Sequence, residues 1–250
     1  HLIYCANCHT PRQGRYTLQG RVFLPPIRCR CQQELYDQEE AKRKLKEKQM
    51  ELQRMKTSGL QDKALYDYTF DKDNDINPEI AYAHKYVENW EDRKAKSSGL
   101  LLWGDVGTGK TFFAGCIANA LLDKGIPVLM TNFARILNTL AGMHSEDRNL
   151  FIDSMNRYSL LIIDDLGMER NSEFALEQVF HVIDSRYRSK KPLIVTTNLT
   201  LTELNTPADM AHRRIYDRIL ERCVPIRINN RNIRQNNASK NLEEARRLLL

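Results

Sequence analysis

Gly104-Asp105-Val106-Gly107-Thr108-Gly109-Lys110-Thr111 is the stretch of this 250-residue chain that decides its fold. The stretch matches the phosphate-binding loop pattern G-x-x-x-x-G-K-[ST] at all of its fixed positions. It follows the apolar run Gly99–Trp103 and opens a segment, residues 111–124, that is predicted to be helical. A strand, a glycine-rich turn and a helix in this order are the surroundings that phosphate binding requires, and they weigh against a glycine-rich turn without function.

The residue types in this loop suit the phosphates of a nucleotide. Its glycines let backbone N–H groups approach phosphate oxygens closely, and the N-terminus of the following helix adds a partial positive charge. The whole stretch 104–111 is therefore predicted to bind ATP. Lys110 is expected to reach the β- and γ-phosphates, and Thr111 to offer its hydroxyl to Mg²⁺.

Four later apolar runs predict the remaining strands of a sheet. They lie at residues 128–131, 160–164, 193–197 and 224–228, and segments of helical character separate them. Uninterrupted apolar strands that alternate with helices are typical of a parallel sheet covered by helices on both faces. The expected fold class is therefore α/β, a P-loop parallel sheet flanked by helices.

Polar residues at the ends of two of these strands are predicted to complete the nucleotide site. Asp164 and Asp165 end an apolar strand in the manner of a Walker B motif, at the sheet edge where ligands bind. Asp164 is expected to hold Mg²⁺ and Asp165 to orient the attacking water, with Glu169 as the alternative to Asp165. A purely structural pair of adjacent carboxylates would repel without a cation. Asn198 is expected to polarise the water, although a simple polar strand end is the other interpretation.

Together these motifs resemble the AAA+ class of ATPases, and within it the DnaC/IstB family of helicase-loading and transposition-helper ATPases. The resemblance covers residues 58–234. Besides the phosphate-binding loop, it is carried by Ser58-Gly59-Leu60, Tyr68-Thr69-Phe70, Ile163-Asp164-Asp165-Leu166-Gly167, Thr196-Thr197-Asn198 and Arg213-Arg214-Ile215-Tyr216-Asp217-Arg218-Ile219. It implies ATP hydrolysis and places Phe70 among the nucleotide-binding residues.

The resemblance also implies an arginine finger that acts between subunits. Arg218 would reach the ATP site of a neighbouring copy, with Arg214 as the second choice, so the active form would be a self-oligomer. Arg214, Arg218 and Arg222 share one helix face because they are four residues apart, and a basic surface stripe is the alternative interpretation. Since Asp165 stands where a longer glutamate is commoner, hydrolysis is expected to be slow. The resemblance further implies that oligomerisation and single-stranded DNA stimulate it.

The C-terminal end is expected to lack the helical lid of most AAA+ ATPases. About twenty residues follow the last predicted strand, too few for such a layer. The nucleotide would then depend more on the neighbouring subunit. Residues 239–250 are predicted to form one short helix with Ser239 as its N-cap.

Four cysteines cluster near the start of the chain as Cys5-Ala-Asn-Cys8 and Cys29-Arg-Cys31. Two such pairs predict a structural Cys₄ zinc site, with His9 as a reserve ligand because the second pair is unusually tight. Metal would supply the folding energy that thirty residues cannot obtain from a core. A redox C-x-x-C is the alternative, but it would need a thioredoxin-like βαβ unit.

Composition divides the chain into three parts: a zinc module at 1–32, a helical linker at 33–65 and an AAA+ domain at 66–250. Residues 33–57 contain no Gly or Pro and few apolar residues, which predicts a solvated helix that is either a spacer or a docking arm. Cys116 and Cys223 stand alone in apolar surroundings and are expected to be core residues.

Bulk properties limit the partners and the location. The net charge of +6 favours polyanionic partners without proving one. Because the chain contains neither a long apolar run nor a secretory signal, we expect no membrane association and a cytoplasmic location. The family resemblance implies a bacterial or phage-infected cell.

Within the family, the layout resembles Firmicute-type helicase loaders, whose N-terminal zinc unit docks on the hexameric replicative helicase. The expected function is ATP-dependent loading of that helicase onto single-stranded DNA. Arg135, Lys190, Lys191 and Arg213 are possible DNA contacts, although each is equally explained as solvated charge. A transposition-helper ATPase and an ATP-switched, nucleic-acid-binding zinc protein are the alternatives.

Overall fold

The computed structural model describes residues 2–73, 78–167, 172–207 and 209–230, together with residue 246. The chain divides into two compact units, residues 1–53 and 54–250. One long helix, α1 (Arg30–Gly59), contributes residues to both. The expected three-part division at residues 32 and 65 stays a prediction.

The first unit contains a short hairpin before α1. Strands β1 (Tyr16–Leu18) and β2 (Arg21–Phe23) pair antiparallel, and all six of their residues are exposed. Gln19 and Gly20 connect them with φ values of 49° and 76°. Two successive positive φ values are typical of a type I′ turn, whose twist matches that of the flanking strands.

Helix α1 is solvated along most of its length, as the sparse apolar pattern predicts. Gly59 is the residue of α1 that is buried, and ion pairs such as Lys44–Glu40 at 2.9 Å join successive turns of its surface. The predicted start at residue 33 was too late. The helix begins at Arg30, so Cys31 lies in its first turn rather than in a separate loop.

The second unit is built on a five-stranded parallel sheet, which confirms the predicted fold class. Its strands are β3 (Gly99–Trp103), β4 (Val128–Asn132), β5 (Leu160–Leu166), β6 (Leu193–Thr197) and β7 (Cys223–Arg227). Across the sheet their order is β4-β5-β6-β3-β7, and every neighbouring pair is parallel.

Helices cover both faces of this sheet. They are α2 (Ile80–Glu88), α3 (Trp90–Ala95), α4 (Lys110–Asp123), α5 (Phe133–Ala141), α6 (Ser145–Ser154), α7 (Glu173–Arg188), α8 (Leu201–Asn205) and α9 (Met210–Arg222). Leu101 and Ile163 face the buried cluster formed with α5, α7 and α9, whereas Leu102 and Ile162 face the cluster formed with α2 and α4. Adjacent strand residues therefore pack into two different cores, one on each face of the sheet. For this reason the strands are continuous apolar runs in the sequence.

The strand order brings the predicted site residues to one edge of the sheet. Because β6 lies between β3 and β5, the carboxyl ends of these three strands are neighbours. Ile163 pairs with Val195 and Leu166 with Thr197. Asp164 and Asp165 thus oppose the single residue Thr196, which makes a β-bulge next to the site.

None of the described helices combines the length and apolar character needed to cross a membrane. The expectations of a missing lid and of a helix from Ser239 concern residues 231–250, which, except for residue 246, lie outside the described ranges.

Candidate nucleotide site and cysteine cluster

The phosphate-binding loop joins β3 to α4 in conformations that favour glycine. Gly104, Gly107 and Gly109 have φ values of 143°, 83° and 100°. Gly109 is the N-cap of α4, so the free N–H groups of the first helical turn face the loop. The Thr108 hydroxyl donates to the carbonyl of Asp105 at 2.9 Å and tightens the turn. This geometry suits a bound phosphate.

The lysine of the loop is buried inside it. Lys110 is 5% exposed, and its Nζ donates to the carbonyls of Gly104 at 2.9 Å and Asp105 at 2.7 Å. A phosphate oxygen is a stronger acceptor for an ammonium than a neutral carbonyl is. The position of Lys110 therefore fits its predicted contact with phosphates.

Asp164 and Thr111 meet at the foot of the loop. The Thr111 Oγ1 lies 3.1 Å from both carboxylate oxygens of Asp164, and Thr196 donates to Asp164 Oδ1 at 2.6 Å. Burial raises the pKa of Asp164, although the hydrogen bonds from Thr196 and Thr111 oppose that effect. A half-buried carboxylate beside a hydroxyl is the oxygen-donor set that Mg²⁺ prefers, so these residues fit the predicted ion.

Thr196 links the two acidic residues through one hydroxyl. Its Oγ1 donates to Asp164 and accepts the backbone N–H of Asp165 at 2.9 Å. Asp165 has a φ of 58°, uncommon for a residue other than glycine, and its side chain is exposed at the sheet edge. The sequence-based site omits Thr196, because its signal is only a hydroxyl near a strand end and its partners depend on the register of β5 and β6.

Asn198 directly follows β6 and is half-buried. The turn is held by Thr197, whose Oγ1 donates to the carbonyl of Leu166 at 2.7 Å and accepts the N–H of Leu199 at 3.1 Å. This places Asn198 at the strand end between the loop and the two aspartates, and its action on water stays a prediction. Glu169 lies outside the described residues.

The segment that carries Phe70 is attached to the helix that follows the loop. Asn119 of α4 donates to the carbonyls of Leu65 at 2.8 Å and Tyr68 at 3.0 Å. Phe70 is half-buried and stacks on His84, with the ring centroids 3.9 Å apart. The site predicted from the sequence also omits Asn119. The one sequence feature that could have indicated it is an amide side chain in an otherwise apolar part of a helix. A nucleotide contact of Phe70 stays a prediction.

Arg218 is engaged within its own chain. Its Nη2 lies 2.8 Å from Asp184 Oδ1 on α7, its Nε donates to the same oxygen at 2.9 Å, and its guanidinium lies over the Phe180 ring. Arg214, one turn earlier on α9, is exposed. Arg218 would have to leave Asp184 to reach a neighbouring subunit, so the choice between these two arginines as the finger stays a prediction.

The four N-terminal cysteines converge. The Sγ atoms of Cys5, Cys8, Cys29 and Cys31 all lie within 4.8 Å of one another, with 3.7 Å between Cys5 and Cys31 and 3.4 Å between Cys29 and Cys31. These distances are too long for disulfides, whereas Zn–S bonds of about 2.3 Å in a tetrahedron separate sulfurs by almost 4 Å. The cluster therefore fits a metal of the zinc type.

The thiols in this cluster have opposed protonation preferences. A backbone hydrogen bond from Cys31 lowers the pKa of Cys8 to about 5, whereas the side chain of Cys29 raises the pKa of Cys31 to about 12. Adjacent thiolates repel, so a cation is needed to hold all four deprotonated. His9 is exposed and is not part of the described cluster.

The two remaining cysteines are core residues, as predicted. Cys116 and Cys223 are buried, and burial raises the pKa of each thiol to about 12. They are therefore thiols rather than thiolates at neutral pH, and are poor nucleophiles.

The four basic residues predicted to contact DNA do not gather into one cluster. Arg135, on α5, donates to the Gln61 carbonyl at 3.0 Å, and Lys191 donates to the carbonyl of Asn156. Arg213 is exposed on α9. Arg135 lines a cavity of about 140 Å³, which the other three predicted residues do not line.

Comparisons with known proteins agree with this architecture. A family model described as IstB-like ATP binding protein matches residues 30–241. The replicative helicase loader DnaC of Escherichia coli (strain K12) is 28% identical over 144 residues, 56% of this chain and 56% of that protein, so the match spans about half of DnaC. The replicative helicase loader DnaI of Bacillus subtilis (strain 168) is 26% identical over 247 residues, 92% of this chain and 78% of that protein.

A crystal structure of DnaI shares the fold, with a TM-score of 0.58 and 24% identity over 72% of this chain and 98% of that one. The resemblance to AAA+ P-loop ATPases of the DnaC/IstB type is thereby confirmed. The chain belongs to the family of IstB-like ATP-binding proteins.

Proposed function

We propose that this protein is an ATP-dependent loader of the hexameric replicative DNA helicase onto single-stranded DNA, acting in the cytoplasm of a bacterial or phage-infected cell. The observation that carries the proposal is the pairing, in one chain, of an AAA+ nucleotide site with an N-terminal Cys₄ unit. The match to DnaI covers 92% of this chain and so reaches into both units, and DnaI is named a replicative helicase loader.

The nucleotide site provides the energy-dependent step. The loop 104–111 would hold the phosphates of ATP, with Lys110 neutralising charge, while Thr111 and Asp164 would hold Mg²⁺, which shields the phosphates when bound. Asp165 and Asn198 would orient the attacking water. Because Asp165 is exposed and short, turnover by a single subunit is slow, and neighbouring subunits and DNA raise it.

The site is completed by a second copy of the chain. A guanidinium from α9 would neutralise charge at the γ-phosphate of the neighbouring subunit. Arg218 is the arginine finger if assembly breaks its ion pair with Asp184, and Arg214 is the finger if that ion pair persists. A Lys110→Ala subunit keeps its finger, and a finger variant keeps its nucleotide site, so a mixture of the two can form complete sites. Partial recovery of ATPase activity in mixtures of Lys110→Ala and Arg218→Ala subunits identifies Arg218 as the finger. Recovery only in mixtures of Lys110→Ala and Arg214→Ala subunits identifies Arg214.

The N-terminal unit provides the docking function. Zinc on Cys5, Cys8, Cys29 and Cys31 would fix the fold of the residues before α1, and this unit would bind the helicase while the AAA+ unit handles DNA. Next to Arg135, the cavity wall includes Arg157, whose guanidinium lies 5.0 Å from the centroid of the Tyr158 ring. Two cations on one wall suit the phosphates of a single strand without sequence preference.

Co-elution with the replicative helicase of the host tests the proposal. The full-length protein is expected to co-elute, and a variant without residues 1–57 is expected not to. The full-length Lys110→Ala variant is the matched control, since it leaves the N-terminal unit intact. If neither the full-length protein nor the variant co-elutes, the loader assignment fails.

The family model itself favours one second candidate, a transposition helper of the IstB type. That function predicts a transposase as the partner that co-elutes. The third candidate, an ATP-switched, nucleic-acid-binding zinc protein, predicts neither partner and no stimulated turnover.

A further inference from the structure

We infer that the hairpin of the N-terminal unit carries a binding site for single-stranded DNA. The relevant surface is one face of the β1–β2 pair, formed by Tyr16, Leu18, Arg21 and Phe23, and it is called the hairpin face below. It lies in a different unit from Arg135 and the AAA+ nucleotide site. Only the choice of DNA over RNA rests on the proposed function.

The register of the hairpin puts these four residues together. Tyr16 is directly opposite Phe23, and Leu18 is directly opposite Arg21. Directly opposed residues project from the same face of an antiparallel pair, and residues two apart on one strand do so as well. Thr17 and Val22, the third pair, project from the other face.

The rings of this face are accessible. Tyr16 is 59% exposed and Phe23 is 50% exposed, although aromatic side chains are normally buried when a core is available. Two neighbouring aromatic rings at a solvent surface form a platform on which nucleobases stack. Stacking of this kind requires unpaired bases, which excludes a duplex as the ligand.

The segment that carries the hairpin contains no acidic residue. Residues 1–33 contain five arginines and no aspartate or glutamate. Arg15 directly precedes Tyr16, and Arg21 lies two residues before Phe23. Both arginines are exposed, and no carboxylate among the described residues pairs with either. Phosphates of a strand stacked on Tyr16 and Phe23 would be complementary to this charge, and a protein surface would need its own acidic rim to match it.

Fluorescence anisotropy of a labelled oligothymidine of about 15 nucleotides, the length of a small single-strand site, tests the inference. The full chain carries Arg135→Ala throughout, so that the AAA+ unit contributes less to binding. The double change Tyr16→Ala, Phe23→Ala is expected to weaken binding roughly tenfold or more, because stacked rings contribute strongly to single-strand affinity. The control Thr17→Ala, Val22→Ala on the opposite face is expected to keep the original affinity.

Two further measurements decide between ligands. Log affinity falls as log salt rises, and Arg21→Ala is expected to make this slope less steep by roughly 0.7, as one lost phosphate contact does for a single strand. An equal zinc content in all variants confirms that the unit is folded. Unchanged DNA affinity of the Tyr16, Phe23 variant overturns the inference. It is equally overturned if the protein binds oligouridine RNA but not DNA, or if the variant loses only co-elution with the helicase.

These outcomes are independent of the proposed function. If the protein never co-elutes with a replicative helicase but the hairpin variant loses DNA affinity, the loader assignment fails and the hairpin site stands. If co-elution is observed and DNA affinity is unchanged, the loader assignment stands and the hairpin site fails.

Discussion

Replacement of Thr196 by valine is expected to impair ATP hydrolysis without preventing ATP binding. Valine has nearly the shape of threonine, so the fully buried site stays filled, and the change removes only the hydroxyl. Two hydrogen bonds are lost, the 2.6 Å bond to Asp164 Oδ1 and the 2.9 Å bond from the N–H of Asp165. Asp165 then loses the acceptor of its backbone N–H, and of its described hydroxyl donors Asp164 keeps only Thr111.

The size of the effect follows from these two bonds. A hydrogen bond to a charged group contributes about 1.5–3 kcal/mol, which corresponds to a fall in kcat of roughly 10- to 100-fold if it acts in the transition state. The loss also removes one of the interactions that keep the pKa of Asp164 down, so burial raises that pKa further and weakens Mg²⁺ binding. The phosphate-binding loop is untouched, and ATP affinity is expected to change little.

Steady-state ATPase rates and equilibrium binding of a fluorescent ATP analogue separate the two effects. Thr196→Ser keeps the hydroxyl and is the matched control, with a rate expected to stay near that of the unchanged protein. A Thr196→Val variant that hydrolyses ATP at the original rate refutes the role of this hydroxyl. Equal losses in the valine and serine variants would show that packing, not hydrogen bonding, matters.

Three other changes have defined outcomes. Asp164→Asn removes a carboxylate whose charged form is destabilised by burial. The Tm measured without Mg²⁺ is therefore expected to rise by a few degrees, while ATP turnover is lost; a lower Tm contradicts this. Cys29→Ser is expected to reduce bound zinc, measured by atomic absorption, from one equivalent to near zero, with ATP binding retained; retention of the metal would contradict the Cys₄ site. Arg186 donates four hydrogen bonds from three nitrogens to the carbonyls of Tyr158, Ser159 and Pro192, and the single nitrogen of lysine has only three donors. Arg186→Lys is therefore expected to lower the free energy of unfolding by about 1–3 kcal/mol in urea denaturation; an unchanged midpoint would show that the network adds no stability.

Much of the AAA+ unit could be predicted from the sequence because its signals are local. The loop 104–111 has a fixed pattern, and the buried strands are continuous apolar runs whose ends appear directly in the sequence. The convergence of four cysteines was also predictable from their spacing, because metal coordination requires that ligand pairs meet. The placement of Asp164 beside Thr111 follows from strand and loop together.

The parts that escaped prediction depend on long-range packing. The hydrogen bonds of Thr196 require the register of β5 against β6, which a single strand does not reveal. The ion pair of Arg218 joins two residues 34 apart in sequence, on α9 and α7, so a pattern on α9 alone favoured a free finger. The start of α1 at Arg30 places Cys31 in both the cysteine cluster and the first helical turn, and the cysteine spacing alone does not show this overlap.

Transfer of helicase to circular single-stranded DNA is the most direct test of the central claim. The host helicase is incubated with the DNA and ATP, with this protein or its Lys110→Ala variant, and DNA-bound helicase is measured after gel filtration. The proposed function predicts more DNA-bound helicase with the unchanged protein and a marked loss of that gain with Lys110→Ala. Equal amounts of bound helicase with and without the protein would contradict it.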